Sequence, residues 1–98
     1  MSAACTAAFA QSSFSDILGK SLTNEDGTVV INRDGTVTGT LGGNDLALDW
    51  SVEGGKWCRE GKLGSNDVPK KCQTIRIKGD QISFIDANGS VSSAYTIE

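Results

Sequence analysis

From Thr28 to the end of the chain, apolar and polar residues alternate with a period of two. The cleanest stretch is 46–53, where Leu46, Leu48, Trp50 and Val52 alternate with Ala47, Asp49, Ser51 and Glu53. Successive side chains of a strand point to opposite faces, so this pattern predicts a strand with one face in a core and one in water. Similar runs predict strands over 28–32 and 36–41 around Arg33-Asp34-Gly35, and over 56–62 after Gly54-Gly55. Two more, 73–78 and 81–85, flank Gly79-Asp80, and 91–97 follows Asn88-Gly89 with Val91, Tyr95 and Ile97 on one face. Asp-Gly, Gly-Gly and Gly-Asp pairs are the residues tight hairpins require.

Before Thr28 the period changes. Phe14, Ile17 and Leu18 fall at i, i+3 and i+4, Ser13 can cap a helix, Asp16 sits near its positive end and Gly19 can terminate it. A helix of about two turns needs a sheet to lie on, and Leu22 continues its contact as the chain leaves. The expected fold is mainly β: an antiparallel up-and-down meander of about seven strands. Its expected core is Val29, Ile31, Val37, Leu46, Leu48, Trp50, Val52, Trp57, Ile75, Ile77, Ile82, Phe84, Tyr95 and Ile97. A sheet with one apolar face must close, curl over its helix or dimerise. A small, partly closed barrel capped by the helix is favoured, and a homodimer sharing the core is the alternative.

With 98 residues there is room for one core. A chain this short buries only roughly 60–65% of its unfolded surface and often needs a staple. The cysteines suggest one. Cys58 and Cys72 bracket a polar segment containing Gly61, Gly64, Asn66 and Pro69, and an oxidising compartment would join them. Closing a loop of about 15 residues stabilises a fold by about 3 kcal/mol in the chain-entropy model. Zinc is the rival, but the chain has no histidine and no second cysteine pair. Alternation places Trp57 inward and Cys58 outward, and Ile75 and Ile77 inward with Cys72 outward, so both sulfurs are expected on the outer face.

Ser2 to Ala10 reads SAACTAAFA, ending in the small-x-small pattern that precedes a signal-peptidase cut. Residues 1–10 are therefore expected to be the remnant of a leader, and 11–98 the stapled domain. The charged and most of the apolar part of such a leader are missing, which suggests a truncated chain or a start placed downstream of the true one. The alternative is a lipoprotein leader, Ser2-Ala3-Ala4-Cys5, with Cys5 lipidated. Either reading places the domain in the periplasm or outside the cell. No stretch approaches the ~20 apolar residues of a membrane span.

The net charge of −3 argues against a nucleic-acid partner, but it hides an asymmetry. Residues 56–78 carry Lys56, Arg59, Lys62, Lys70, Lys71, Arg76 and Lys78 against Glu60 and Asp67, a local +5. Such a cluster is either a solvated face or a patch for an anionic partner, an unidentified protein or surface component. The residues expected to carry it are Arg59, Lys62, Lys70, Lys71, Arg76 and Lys78.

Most catalytic templates lack their parts. Without histidine neither a Ser-His-Asp triad nor a Cys-His pair can form. No dinucleotide or P-loop fingerprint occurs, so no nucleotide cofactor is expected. Asn24/Asp26, Asn32/Asp34, Asn44/Asp45, Asn66/Asp67 and Asp86/Asn88 cluster at turns, where they bond their own backbone, and none completes a calcium loop. Asp49 with Glu53, or Glu60 with Asp67, offers paired carboxylates, for which exposure on a strand is the plain account. Trp50, Trp57, Phe84 and Tyr95 either fill the interior or line a ligand cavity in a barrel mouth.

Trp50-x6-Trp57-Cys58-Arg59, then Cys72-Gln73 and Ile82-Ser83-Phe84, resembles a group of short secreted bacterial proteins. Phe14-x4-Gly19-Lys20-x-Leu22 and Asp34-Gly35 to Gly39 extend the likeness over about residues 14–85. The resemblance implies export and the disulfide. Such proteins are often labelled dihydrodipicolinate reductase, which implies a Rossmann domain that this chain is too short to hold and whose fingerprint it lacks. The leading expectation is a non-enzymatic module binding an anionic or amphipathic partner through the basic face. A small-barrel carrier of an apolar ligand is the second, and an enzyme the third.

Overall fold

The computed structural model describes residues 14–98. The expected leader and the Ser13 cap lie outside them. Among the described residues one short helix, α1 (Phe14–Ile17), precedes eight strands. These are β1 (Ser21–Asn24), β2 (Gly27–Ile31), β3 (Thr36–Leu41), β4 (Asn44–Glu53), β5 (Lys56–Leu63), β6 (Asn66–Lys78), β7 (Gln81–Ile85) and β8 (Tyr95–Ile97). All pairings are antiparallel between neighbours in sequence, and β8 returns to β1 through Leu22–Ile97 and Thr23–Thr96, so the meander closes into a barrel. Closure buries the common apolar face within one chain, with no need for a second copy.

The strand unforeseen in the sequence is β1. Its four residues, Ser-Leu-Thr-Asn, hold a single large apolar side chain, too few to display a period. Yet Leu22 is fully buried and touches the seam where the barrel closes. The described part of the helix is a single turn, Phe14–Ile17. Gly19, at φ +82°, reverses the chain, and its amide donates to the Ile31 carbonyl at 2.8 Å, carrying Ile17 onto the core. The final strand is also shorter than expected. Val91 makes only an isolated bridge to Ile85 and is exposed, so it does not share the inward face of Tyr95 and Ile97.

Ile17, Leu22, Val29, Ile31, Val37, Leu46, Leu48, Trp57 and Ile82 form the buried cluster. Trp50, Ile75, Ile77, Phe84, Tyr95 and Ile97 pack against it, as do Leu41, Leu63 and Val68, which the alternation had not assigned. Val52 is the exception to the expected core, at 60% exposure. It keeps the right parity, paired with Trp57, but the β4–β5 hairpin extends beyond β3, whose first residue pairs with Asp49. Parity selects a face. It does not guarantee a lid over it.

The segment between the cysteines, expected as turns, is a hairpin. Gly64-Ser65 makes its turn, and β6 runs through to Lys78. Pairing slips opposite Glu60, where Pro69 and Lys70 bulge out of the ladder. Cys58 and Cys72 stand directly opposite one another, with Cα atoms 3.9 Å apart, and are joined. They alternate with Trp57 and Gln73, so they face outward as expected, yet Cys58 is only 1% exposed. Glu53, paired with Lys70, lies close to both sulfurs.

β6 serves two partners in succession. Residues 66–73 pair with β5 and residues 74–78 with β7. On the β7 side, 66–73 therefore have no strand partner among the described residues. The segment 86–94 follows β7 at this gap.

Three strand glycines hold backbones in close approach, and two decide the shape. A Cβ on Gly39 (φ +141°) would strike the Thr28 carbonyl oxygen and lie 2.9 Å from Val29 Cα. One on Gly61 (φ +151°) would strike the Ala47 oxygen and lie 2.7 Å from Leu48 Cα. Such positions let strands coil tightly enough to close a small barrel.

Two outcomes test this architecture. Replacing both Cys58 and Cys72 by serine should lower the unfolding free energy by about 3 kcal/mol, read from urea denaturation of the oxidised wild type and the variant. Gly61→Ala should cost about 2 kcal/mol or more, whereas Gly79→Ala, with nothing near its Cβ position, should cost less in the same assay.

Candidate functional site

In an up-and-down barrel, alternate hairpins gather at opposite ends. At one end α1 closes the opening: Phe14 meets Trp50 edge-on at 5.4 Å, and Trp50 Nε1 donates to the Asn32 carbonyl at 2.8 Å. At the other end the β1–β2, β3–β4 and β5–β6 turns are stitched together. The Gly42 amide donates to the Asp26 carbonyl and the Gly64 amide to the Asp45 carbonyl, at 2.8 and 2.7 Å.

Between the ends lies a cavity of about 240 Å³. Leu22, Val29, Ile31, Val37 and Leu48 line its depth, and Leu41, Leu46, Leu63 and Val68 its reach toward the stitched turns. One wall is aromatic. Trp57 and Phe84 lie 5.1 Å apart at a tilt, and Phe84 meets Tyr95 edge-on at 6.0 Å. Three of the four rings expected at a ligand cavity are thus gathered there. Trp50 is the fourth, and it is spent on the helix end instead.

Besides the Trp57 indole and the Tyr95 phenol, Arg59, Gln73 and Ser92 bring polar side chains to this lining. Arg59 arrives by parity, two residues after the inward Trp57. Its Nη1 donates to the Pro69 carbonyl at 2.7 Å across the bulge, and no carboxylate among the described residues is within ion-pair distance of it. Burial pushes the guanidinium pKa down, and the field of Asp86 opposes that shift. Asp86 itself accepts from Gln73 Nε2 at 2.7 Å and pairs with Lys71 Nζ at 3.3 Å. Those contacts, the Gln73 hydrogen bond foremost, hold its carboxyl below the ordinary aspartate range. Ser92 Oγ accepts from the Phe84 amide at 3.0 Å, and the Ser92 amide donates to the Phe84 carbonyl. Gln73 and Ser92 thus tie the segment 86–94 to the barrel wall at the β6 gap. Trp57 is 7% exposed, and its indole Nε1 is buried with no hydrogen-bond partner among the described residues.

The six cations expected on one outer face are dispersed. Arg59 turns inward, Lys62 pairs with Asp67 at 3.2 Å, Lys70 with Glu53 at 2.7 Å, and Lys71 with Asp86. The hydrogen bond from Lys70, then that from Ser51, lowers the Glu53 pKa, and Glu53 in turn raises that of Lys70. Arg76 and Lys78 remain on the outer face of β6 without an ion pair among the described residues. Three of the turn clusters show backbone bonding: Asn24 Oδ1 accepts from the Asp26 amide, Asp34 Oδ1 from Thr36, and Asn88 Oδ1 from the Ser90 amide. Glu53 lies near Cys58 and Cys72, but sulfurs bonded to each other are not thiolates and offer no metal ligand.

Among the described residues no helix is long and apolar enough to cross a membrane. No family model, curated protein or solved structure matches the chain.

Carboxyl titration by NMR should place the Asp86 midpoint below that of an ordinary aspartate, and Gln73→Ala should move it upward. A folded-state pKa below the unfolded one adds stability above the ordinary aspartate range and loses it as pH falls through the folded value. The protection factor of the Phe84 amide, bonded to Ser92, should therefore fall as the solution is acidified through the folded-state value.

Proposed function

We propose that this domain is a non-enzymatic carrier that takes one small apolar molecule into its barrel. The cavity carries the reading: about 240 Å³, walled by branched aliphatic side chains and the Trp57, Phe84 and Tyr95 rings. Eight strands enclose an interior just wide enough to be filled by side chains or to hold one small ligand. Here the side chains stop short of filling it. Cavities of this composition transfer apolar surface out of water without demanding a polar exchange.

The Cys58–Cys72 bond supports a working place outside the cytosol, in a periplasm or beyond the cell, since oxidised pairs persist in such compartments. The exterior basic face is the weaker candidate for binding. Three of its lysines are already matched to carboxylates and Arg59 faces inward, and matched surface charges contribute little to attraction at a distance.

Titration with 1-octanol, followed by amide and indole NMR shifts, should saturate. The shifts should centre on Leu46, Leu48, Trp57 and Phe84 and change little between low and physiological salt. Val68→Trp, at the cavity's edge, should weaken binding about ten-fold through steric occlusion. Non-saturating shifts, or shifts confined to Arg76, Lys78 and their neighbours, would remove the reading.

A further inference from the structure

We infer that the occupant is a short amphiphile with a single carboxylate head, its tail in the apolar interior and its head at Arg59. The inference rests on the carrier reading and names the ligand class of the same cavity.

The tail follows from volume and lining. An engineered apolar cavity of about 150 Å³ accepts benzene, so 240 Å³ suits a molecule of on the order of ten non-hydrogen atoms. Nearly every lining side chain is aliphatic or aromatic.

The head follows from Arg59. A guanidinium carries five donors in a planar fork, and the one described hydrogen bond of this side chain uses Nη1, toward the Pro69 carbonyl. Arg59 is half-buried and lines the cavity, where a carboxylate is the matching planar acceptor for a guanidinium. The surrounding charge permits it. Asp86 is the nearby anion, but Lys71 is paired with it and Gln73 hydrogen-bonds its other oxygen. Arg59, Lys71 and Asp86 together leave one positive charge for one negative head. Glu53 and Glu60 lie on the opposite, outer face, and Glu53 is bound by Lys70.

The decisive experiment compares octanoate, 1-octanol and octylammonium by calorimetric titration at pH 7, on the wild type and on Arg59→Gln and Arg59→Lys. Octanoate should bind wild type at least about ten-fold more tightly than octanol, the worth of a charge-assisted hydrogen bond. Octylammonium should bind worst. Arg59→Gln should erase the preference for octanoate over octanol, and Arg59→Lys should restore part of it. If octanol equals octanoate on wild type, or octanoate keeps its advantage in Arg59→Gln, the head-group inference is overturned and the carrier reading stands. If none of the three binds wild type, both fall. The wild-type comparison alone decides the matter should a variant fold poorly.

Discussion

A one-sided apolar sheet has to hide that side, and here the solution hangs on a seam only two residue pairs long, Leu22–Ile97 and Thr23–Thr96. Backbone bonds reinforce it from both flanks: the Glu98 amide donates to the Ser21 carbonyl, and the Ile97 amide to the Asp80 carbonyl. Without that seam β1 and β8 would be free edges and the interior would be a groove open to water. With it, the inward residues of all eight strands face a common space. The disulfide acts on a different part of the wall. It fixes the β5–β6 register at the level of Trp57 and Gln73, beside the stretch where β6 lacks a second neighbour. Register matters there because a slip of one residue would turn Trp57 outward and Cys58 inward.

Much of this was legible in the residues. The two-fold alternation of β4 and the hairpin dipeptides supplied the meander, the barrel and most of the core. What stayed hidden was set by tertiary context. β1 has one apolar residue and no pattern of its own. β6 reads as a strand only from Gln73 onward because Asn66, Pro69, Lys70 and Lys71 resemble a loop, although a bulge accommodates the proline within the ladder. Val52 was assigned to the core correctly by parity and wrongly by cover, since nothing in its own sequence reveals that β3 stops short of it.

The candidate site was partly legible too. The sequence offers Trp50, Trp57, Phe84 and Tyr95 as either interior filling or cavity wall; the last three line the cavity, while Phe14 and the Asn32 carbonyl claim Trp50. Arg59 was grouped with the outer lysines by proximity in sequence. The rule that put Cys58 outside already put Arg59 inside, so the signal was present, and regional charge outweighed it. Charge sums over a strand mix both faces. Only the sign at alternate positions separates a solvated lysine row from a cation turned toward an apolar space.

The unpartnered half of β6 has one more consequence. A bare strand edge ordinarily invites a neighbouring molecule to add its own strand, the first step toward ordered aggregates. This one is a poor template. Pro69 supplies no N–H, the slip opposite Glu60 breaks the regular spacing of donors and acceptors, and the segment that starts at Asp86, held by Gln73 and Lys71, lies alongside. The same irregularity that disguises the segment as a loop makes it a poor point of attachment for a further strand.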